Sequence, residues 1–149
     1  SYIKNMKNLL YILVFCSLAS QAQNNVSISY QFIDAGFGLK YERIIKHVGI
    51  YAGAAKGSYR FPDSKIRHEK AIIGVSYSFN EPLKSNGFFS AGAVFHRFGE
   101  DTTDNRLDPH TFDKTSFEVG FGNRWKYVSA GVRIDIMKRE AALDIGFIF

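Results

Sequence analysis

From Val26 onward, apolar and polar residues alternate with a period of two, the spacing at which successive side chains of a β-strand point to opposite faces. Val26, Ile28, Tyr30 and Phe32 oppose Ser27, Ser29 and Gln31, and after Asp34-Ala35-Gly36 the phase flips. Phe37, Leu39 and Tyr41 then oppose Gly38, Lys40 and Glu42. A third stretch covers about residues 47–61, and its facing stays open because Ala and Gly fill both parities. Ala71, Ile73, Val75, Tyr77 and Phe79 oppose Lys70, Gly74, Ser76 and Ser78; Phe89, Ala91, Ala93 and Phe95 oppose Ser90, Gly92 and His96. Phe117, Val119 and Phe121 oppose Ser116, Glu118, Gly120 and Gly122; Val128, Ala130, Val132, Ile134 and Ile136 oppose Ser129, Gly131, Arg133 and Asp135. In the last stretch Leu143, Ile145, Phe147 and Phe149 oppose Ala142, Asp144 and Gly146, with Ile148 the one apolar residue on the polar side. The pattern predicts eight antiparallel strands joined by turns, and no helix of useful length.

Strands of about ten residues, tilted, are what crossing a bilayer requires. An even number of them starts and ends a chain on one side. The turns at Ile45–His47, Asn80–Gly87 and Asn123–Lys126 then share that side. Those at Asp34, Pro62–Arg67, Gly99–Asp113 and Lys138–Glu140 share the other, which receives the longest connection. Aromatics sort accordingly. Tyr41, Phe79, Phe89, Trp125, Tyr127 and Phe149 fall near one set of strand ends, and Phe32, Phe37, Tyr59, Phe61, Phe95, Phe98 and Phe112 near the other. Two aromatic girdles about an aliphatic band match the preference of amphipathic rings for the membrane interface. The expected fold is an all-β, eight-stranded antiparallel up-and-down transmembrane β-barrel.

The first residues carry a different signal. Lys7-Asn8, the apolar run Leu9–Leu18 and Ser20-Gln21-Ala22 have the basic, apolar and small-residue parts of a secretory signal peptide. The expectation is a leader over 1–22, beginning at Met6 with 1–5 upstream of it, and a barrel domain over 23–149. The only cysteine, Cys16, lies in that leader, so disulfides and thiolate metal sites are excluded from the mature chain. The net charge of +5 falls to +3 once Lys4 and Lys7 are subtracted, and no basic arm accompanies it. Nucleic acid is not an expected partner.

Signal peptide, glycine-spaced alternating strands and the terminal Asp-Ile-Gly-Phe-Ile-Phe together resemble small outer-membrane β-barrel proteins of the OmpA/OmpX class, over most of 26–149. The resemblance implies a Gram-negative outer membrane and a final-strand signal read by the insertion machinery, which Phe147 and Phe149 match. Asp144 occupies the place of that signal's upstream glycine.

An eight-stranded barrel is just wide enough to be filled by side chains. Its expected interior contains Lys40, Glu42, Lys70, Glu118, Arg133, Asp135 and Asp144. Isolated buried charges are costly, so a network that plugs the lumen is expected, with Arg133, Lys40 or Lys70 near Asp144. The alternative is a narrow polar conduit, with Gly38, Gly74, Gly92, Gly120, Gly131 and Gly146 leaving room for water.

Candidate chemistry is sparse. Some small outer-membrane barrels modify lipid A and need a hydroxyl, a base and an acid. His96, Glu100, Ser58 and Asp135 are the available set, without a His-x-Ser motif. His47, His68, His96 and His110 lack metal-ligand spacing, and Glu100–Asp108 lacks the glycine and terminal Glu of a calcium loop. No cofactor or metal is expected. At the outer rim Arg60, Lys65 and Arg67, with Lys56, Lys138 and Arg139 nearby, are candidate contacts for lipopolysaccharide phosphates. The leading expectation is a non-enzymatic structural or surface-interaction protein, monomeric because a closed barrel has no free edge. Alternatives are an enzyme acting on outer-leaflet lipid, and a soluble lipocalin-like carrier with its apolar parity inside.

Overall fold

Alternation, β-branched and aromatic residues, and short polar turns build hairpin after hairpin. The computed structural model describes residues 22–60, 65–80, 85–100 and 114–149. The strands are β1 (Ala22–Gln31), β2 (Gly36–Ile45), β3 (Val48–Arg60), β4 (Lys65–Ser78), β5 (Asn86–Glu100), β6 (Lys114–Trp125), β7 (Val128–Asp135) and β8 (Glu140–Ile148). Each pairs antiparallel with the next, and β8 closes on β1 through Asn25↔Ile148 to Gln31↔Ala142. The result is an eight-stranded up-and-down barrel with no free edge. Ala22, the last residue of the expected leader, is the first of β1.

We call the end carrying the two-residue turns Lys46–His47 and Lys126–Tyr127 the lower end, and that carrying Phe32–Ala35 and Ile136–Arg139 the upper end. Lys46, Ala35 and Arg139 take positive φ in three of these turns (56°, 47° and 56°). The wall is uneven in height. β3 to β6 are 13, 14, 15 and 12 residues long, whereas β7 and β8 are 8 and 9.

The apolar parity faces outward. Ile28, Leu39, Ile50, Ile73, Val75, Phe117 and Ile145 are all exposed. The buried side chains are mostly polar or charged. This is the reverse of what a soluble carrier with an apolar interior requires. The lower aromatic girdle stands as expected, with Tyr41, Phe79, Phe89, Trp125, Tyr127 and Phe149 exposed.

The structure also differs from the sequence reading in places. β3 has a definite facing: Gly49, Tyr51 and Ala55 point inward, and Val48, Ile50, Ala52 and Ala54 outward. Tyr51 fits inside because Gly74 and Gly92 lie level with it across β4 and β5, where an added Cβ would collide with its ring. Of the upper girdle, Phe32, Phe37 and Phe95 face outward, but Tyr59 and Phe98 turn inward to stack on His68. Phe61 and Phe112 lie outside the described residues. The turn expected at Asn123–Lys126 shrinks to Lys126–Tyr127, which puts Arg124 on β6, facing inward. That expected to include Glu140 ends at Arg139, so Glu140 opens β8 as a buried residue. Lys65 and Arg67, expected in a turn, lie on β4. Ile148 is buried, and Ile72 and Val94 pack with Tyr51 as an apolar cluster in the lumen.

Candidate functional site

All seven expected interior charges point into the lumen, joined by Arg124, Glu140 and Asp34. They divide into three tiers.

The lower tier centres on Glu42. Its carboxylate accepts from Arg124 Nη2 at 2.5 Å, from Asn25 Nδ2 at 3.0 Å and from the Ser76 hydroxyl. Arg124 also donates to Ser78 and lies over the Phe88 ring, 4.2 Å from its centroid.

The middle tier centres on Asp144. One carboxylate oxygen accepts from Lys40 Nζ and from Arg133 Nε, each at 2.6 Å; the other accepts from Arg133 Nη2 at 2.9 Å and from Ser29 Oγ at 2.5 Å. Arg133 Nη1 reaches Glu118 at 2.6 Å, and the Tyr51 hydroxyl donates to the same carboxylate at 3.0 Å. Of the three cations offered as alternative partners for Asp144, Arg133 and Lys40 are both there. Lys70 is not: it pairs with Glu140 in the tier above and donates to Gln31.

In the upper tier Tyr59 also donates to Glu140. Beside it runs a chain of contacts. Asp34 meets His68 Nδ1 at 2.8 Å, His68 Nε2 meets His96 Nδ1 at 2.9 Å, and His96 Nε2 meets Ser116 Oγ at 2.5 Å. Ser116 donates to Asp135, which also lies 3.1 Å from His96 Nε2. His68 and Phe98 stack at 4.5 Å and 8°. Asp34, in the β1–β2 turn, has its pKa lowered. Burial alone would raise it, but the His68 hydrogen bond, the charges of Lys70 and His68, and the Gly36 N–H outweigh that.

What can this arrangement do? His96 and Asp135 do meet, as the enzymatic reading requires. The hydroxyl between them is Ser116, whereas Ser58 sits on the outward parity of β3. The Glu100 side chain and the Glu100–Asp108 loop lie outside what is described. His96 and Ser116 are fully buried, and the Ser116 hydroxyl donates a hydrogen bond to the Asp135 carboxylate. The void bounded by Lys70, Glu118, Arg133, Asp135 and Glu140 has a volume of about 10 Å³, about the least that admits a single water. His47 is at the lower end, bonded to the Ser78 carbonyl, and His110 lies outside the described residues.

The remaining candidates face outward. Arg60 and Lys65 pair across β3 and β4, and Arg67 lies opposite Ser58. Phe147 and Phe149 are exposed at the lower end of β8.

Arg124 and Glu140 continue the inward parities of β6 and β8, so alternation could have found them had those strands been extended into their turns. His68 shares the parity of Lys70 and could have been found likewise. Asp34, in a turn, carries no such signal.

No protein-family model matches the chain, and no curated protein matches it in sequence. Solved structures do. The N-terminal β-barrel domain of Pseudomonas aeruginosa OprF is similar with a TM-score of 0.52 at 16% identity, covering 86% of this chain and 96% of that one. Neisserial surface protein A (NspA) is similar with a TM-score of 0.52 at 14% identity, covering 85% and 91%. At these identities the likeness is one of fold.

Proposed function

We propose that this chain is a non-enzymatic β-barrel of a Gram-negative outer membrane, its lumen plugged by its own side chains, with a structural or surface-interaction role exercised at its upper end. One observation carries the reading: the charges are inside and paired, while exposed aliphatic residues between aromatic ends surround the barrel. Such a surface in water would be an aggregation hazard, and in lipid it is matched. The fold shared with OprF and NspA supports the same placement. Membrane lipid and lipopolysaccharide are the partners of the outward wall, and the insertion machinery that of Phe147 and Phe149. The closed barrel leaves no strand edge to pair, which favours a monomer.

The test is outer-membrane fractionation with heat-modifiable migration on a detergent gel, followed by conductance in a planar bilayer. Recovery in the outer membrane, a heat-dependent shift and no steady conductance support the proposal. Recovery in the soluble periplasm removes the membrane, and a steady open channel removes the plug. The contact of Ser116, His96 and Asp135 keeps one second reading in view, an enzyme acting on outer-leaflet lipid. Mass spectrometry of lipid A with and without the gene decides it, an unchanged lipid A profile excluding the enzyme.

A further inference from the structure

The histidine contacts of the upper tier fix a proton count. His68 and His96 are fully buried, and every one of their ring nitrogens has a partner. At His68 Nδ1 the partners are Asp34 Oδ2 at 2.8 Å and Tyr59 Oη at 3.2 Å. Tyr59 donates its own proton to Glu140, and Asp34 is charged, its pKa lying below the ordinary value. Both partners accept, so His68 Nδ1 carries a proton. At His96 Nε2 the partners are Ser116 Oγ at 2.5 Å and Asp135 Oδ2 at 3.1 Å. Ser116 donates to Asp135, whose other oxygen accepts from the N–H groups of Met137 and Lys138 at 3.1 and 3.0 Å. Both partners again accept, so His96 Nε2 carries a proton as well.

Between the rings, His68 Nε2 and His96 Nδ1 are 2.9 Å apart. That contact needs one proton and one lone pair. The two rings therefore hold three protons, one at each outer contact and one between them. Two neutral imidazoles hold only two, so the pair has a single positive charge. Two carboxylates, Asp34 and Asp135, stand at its ends. Among the described residues, the other charged groups around it are Lys70 and Glu140, which pair with each other, and Lys114 and Lys138, with Nζ 5.5 and 5.0 Å from the centroid of the Phe98 ring that stacks on His68. The count rests on the contacts of the ring nitrogens and not on a sum of charges.

We propose that His68 and His96 form a binding site for one shared proton, and that a further proton unlatches the β1–β2 turn from the upper mouth of the lumen. The shared proton completes a chain from Asp34 in that turn, through β4, β5 and β6, to Asp135 on β7. With a fourth proton, taken from solvent, two N–H groups would point at each other across 2.9 Å. The rings must then separate, and the pair titrates as one unit. His68 lies nearly parallel to Phe98 and Tyr59, at 8° and 23°, so it yields in its own plane, toward Asp34. Asp135 is on a strand, whereas Asp34 is on a turn held to β3 by the Ser58 N–H on its carbonyl, at 3.0 Å, and to itself by the Gly36 N–H on its carboxylate, at 3.1 Å. The turn gives way first.

The test is nuclear magnetic resonance of the full chain, without a histidine tag, carrying isotope-labelled histidine and folded in detergent micelles. Heat-modifiable migration reports folding for every variant, and His47→Gln and His110→Gln identify the signals that do not belong to the pair. At neutral pH the pair should show three protonated ring nitrogens and a nitrogen–nitrogen coupling across the shared proton. Two or four protonated nitrogens, or no coupling, overturn the site. On acidification a fourth N–H should appear as the coupling is lost, and the Gly36 and Ser58 amides should lose hydrogen-exchange protection over the same pH interval. Protection that outlasts the coupling overturns the latch. His96→Gln has no second titrating ring and should keep both amides protected through that interval. Loss of protection in His96→Gln at the wild-type pH assigns the step to another group and also overturns the latch. Should His96→Gln not fold, the wild-type spectra decide both parts alone.

Discussion

Replacing Asp144 with leucine probes the buried charge network at its most connected point. The substitution removes the carboxylate that holds Lys40 and Arg133, each at 2.6 Å, in a lumen where all three residues are almost completely buried. Arg133 keeps Glu118 at 2.6 Å, but Lys40 keeps no carboxylate partner among those the structure gives it. Breaking a buried pair from one side costs about 3–5 kcal/mol, because an uncompensated charge remains. Replacing the pair together, as Lys40→Met with Asp144→Leu, removes the stranded ammonium and should return about 2 kcal/mol of that loss. The assay is urea unfolding in lipid vesicles, followed by the fluorescence of the single tryptophan, Trp125, and by gel mobility. If Asp144→Leu lies within about 1 kcal/mol of wild type, Asp144 is hydrated and the lumen is not a closed network. If the double variant is as unstable as the sum of its parts, Lys40 and Asp144 are not coupled.

Other expectations test separate parts of the barrel. Gly74→Ala pushes a Cβ into the Tyr51 ring and should cost about 1–3 kcal/mol by overpacking, measured by the same urea titration. Lys46→Gly relieves a left-handed backbone at a two-residue turn and should raise stability by about 1 kcal/mol. Asp34 titrates below its ordinary value in the fold, so its contribution is full above about pH 4 and is lost as the pH falls through the folded pKa. Asp34→Asn should therefore flatten the acid limb of a stability profile below about pH 4 relative to wild type.

Strand number, parity and the seven interior charges were legible in the sequence because alternation with a period of two carries facing directly, and a one-residue slip would invert every side chain. β3 was not legible, since Ala and Gly are compatible with either face. Its facing is settled by Tyr51 lying on Gly74 and Gly92, a relation between three strands. Arg124 and Glu140 were hidden because polar residues beside a hairpin read as turn. The partners of the charges were mostly out of reach. Lys70 pairs with Glu140 across the lumen, 70 positions away, and Arg124 with Glu42, 82 away, distances set by the stagger of the closed barrel and absent from any local pattern. Asp144 was the exception, because Arg133 lies on the adjoining strand and the charge balance demanded a nearby cation.

If the barrel is membrane-embedded, its apolar parity meets lipid and its charged parity faces the lumen. The most direct test of this placement is a nitroxide scan in lipid vesicles. Cys16 is the only cysteine, so a Cys16→Ser background accepts single labels cleanly. Labels at Ile28, Leu39, Ile73 and Ile145 should collide readily with lipid-soluble oxygen. Labels at Ser27, Ala55, Ser90 and Ala142 should be immobilised and shielded from both oxygen and a water-soluble nickel chelate. The opposite alternation, with the first set shielded and the second exposed to water, would contradict the inside–outside assignment and the membrane barrel with it.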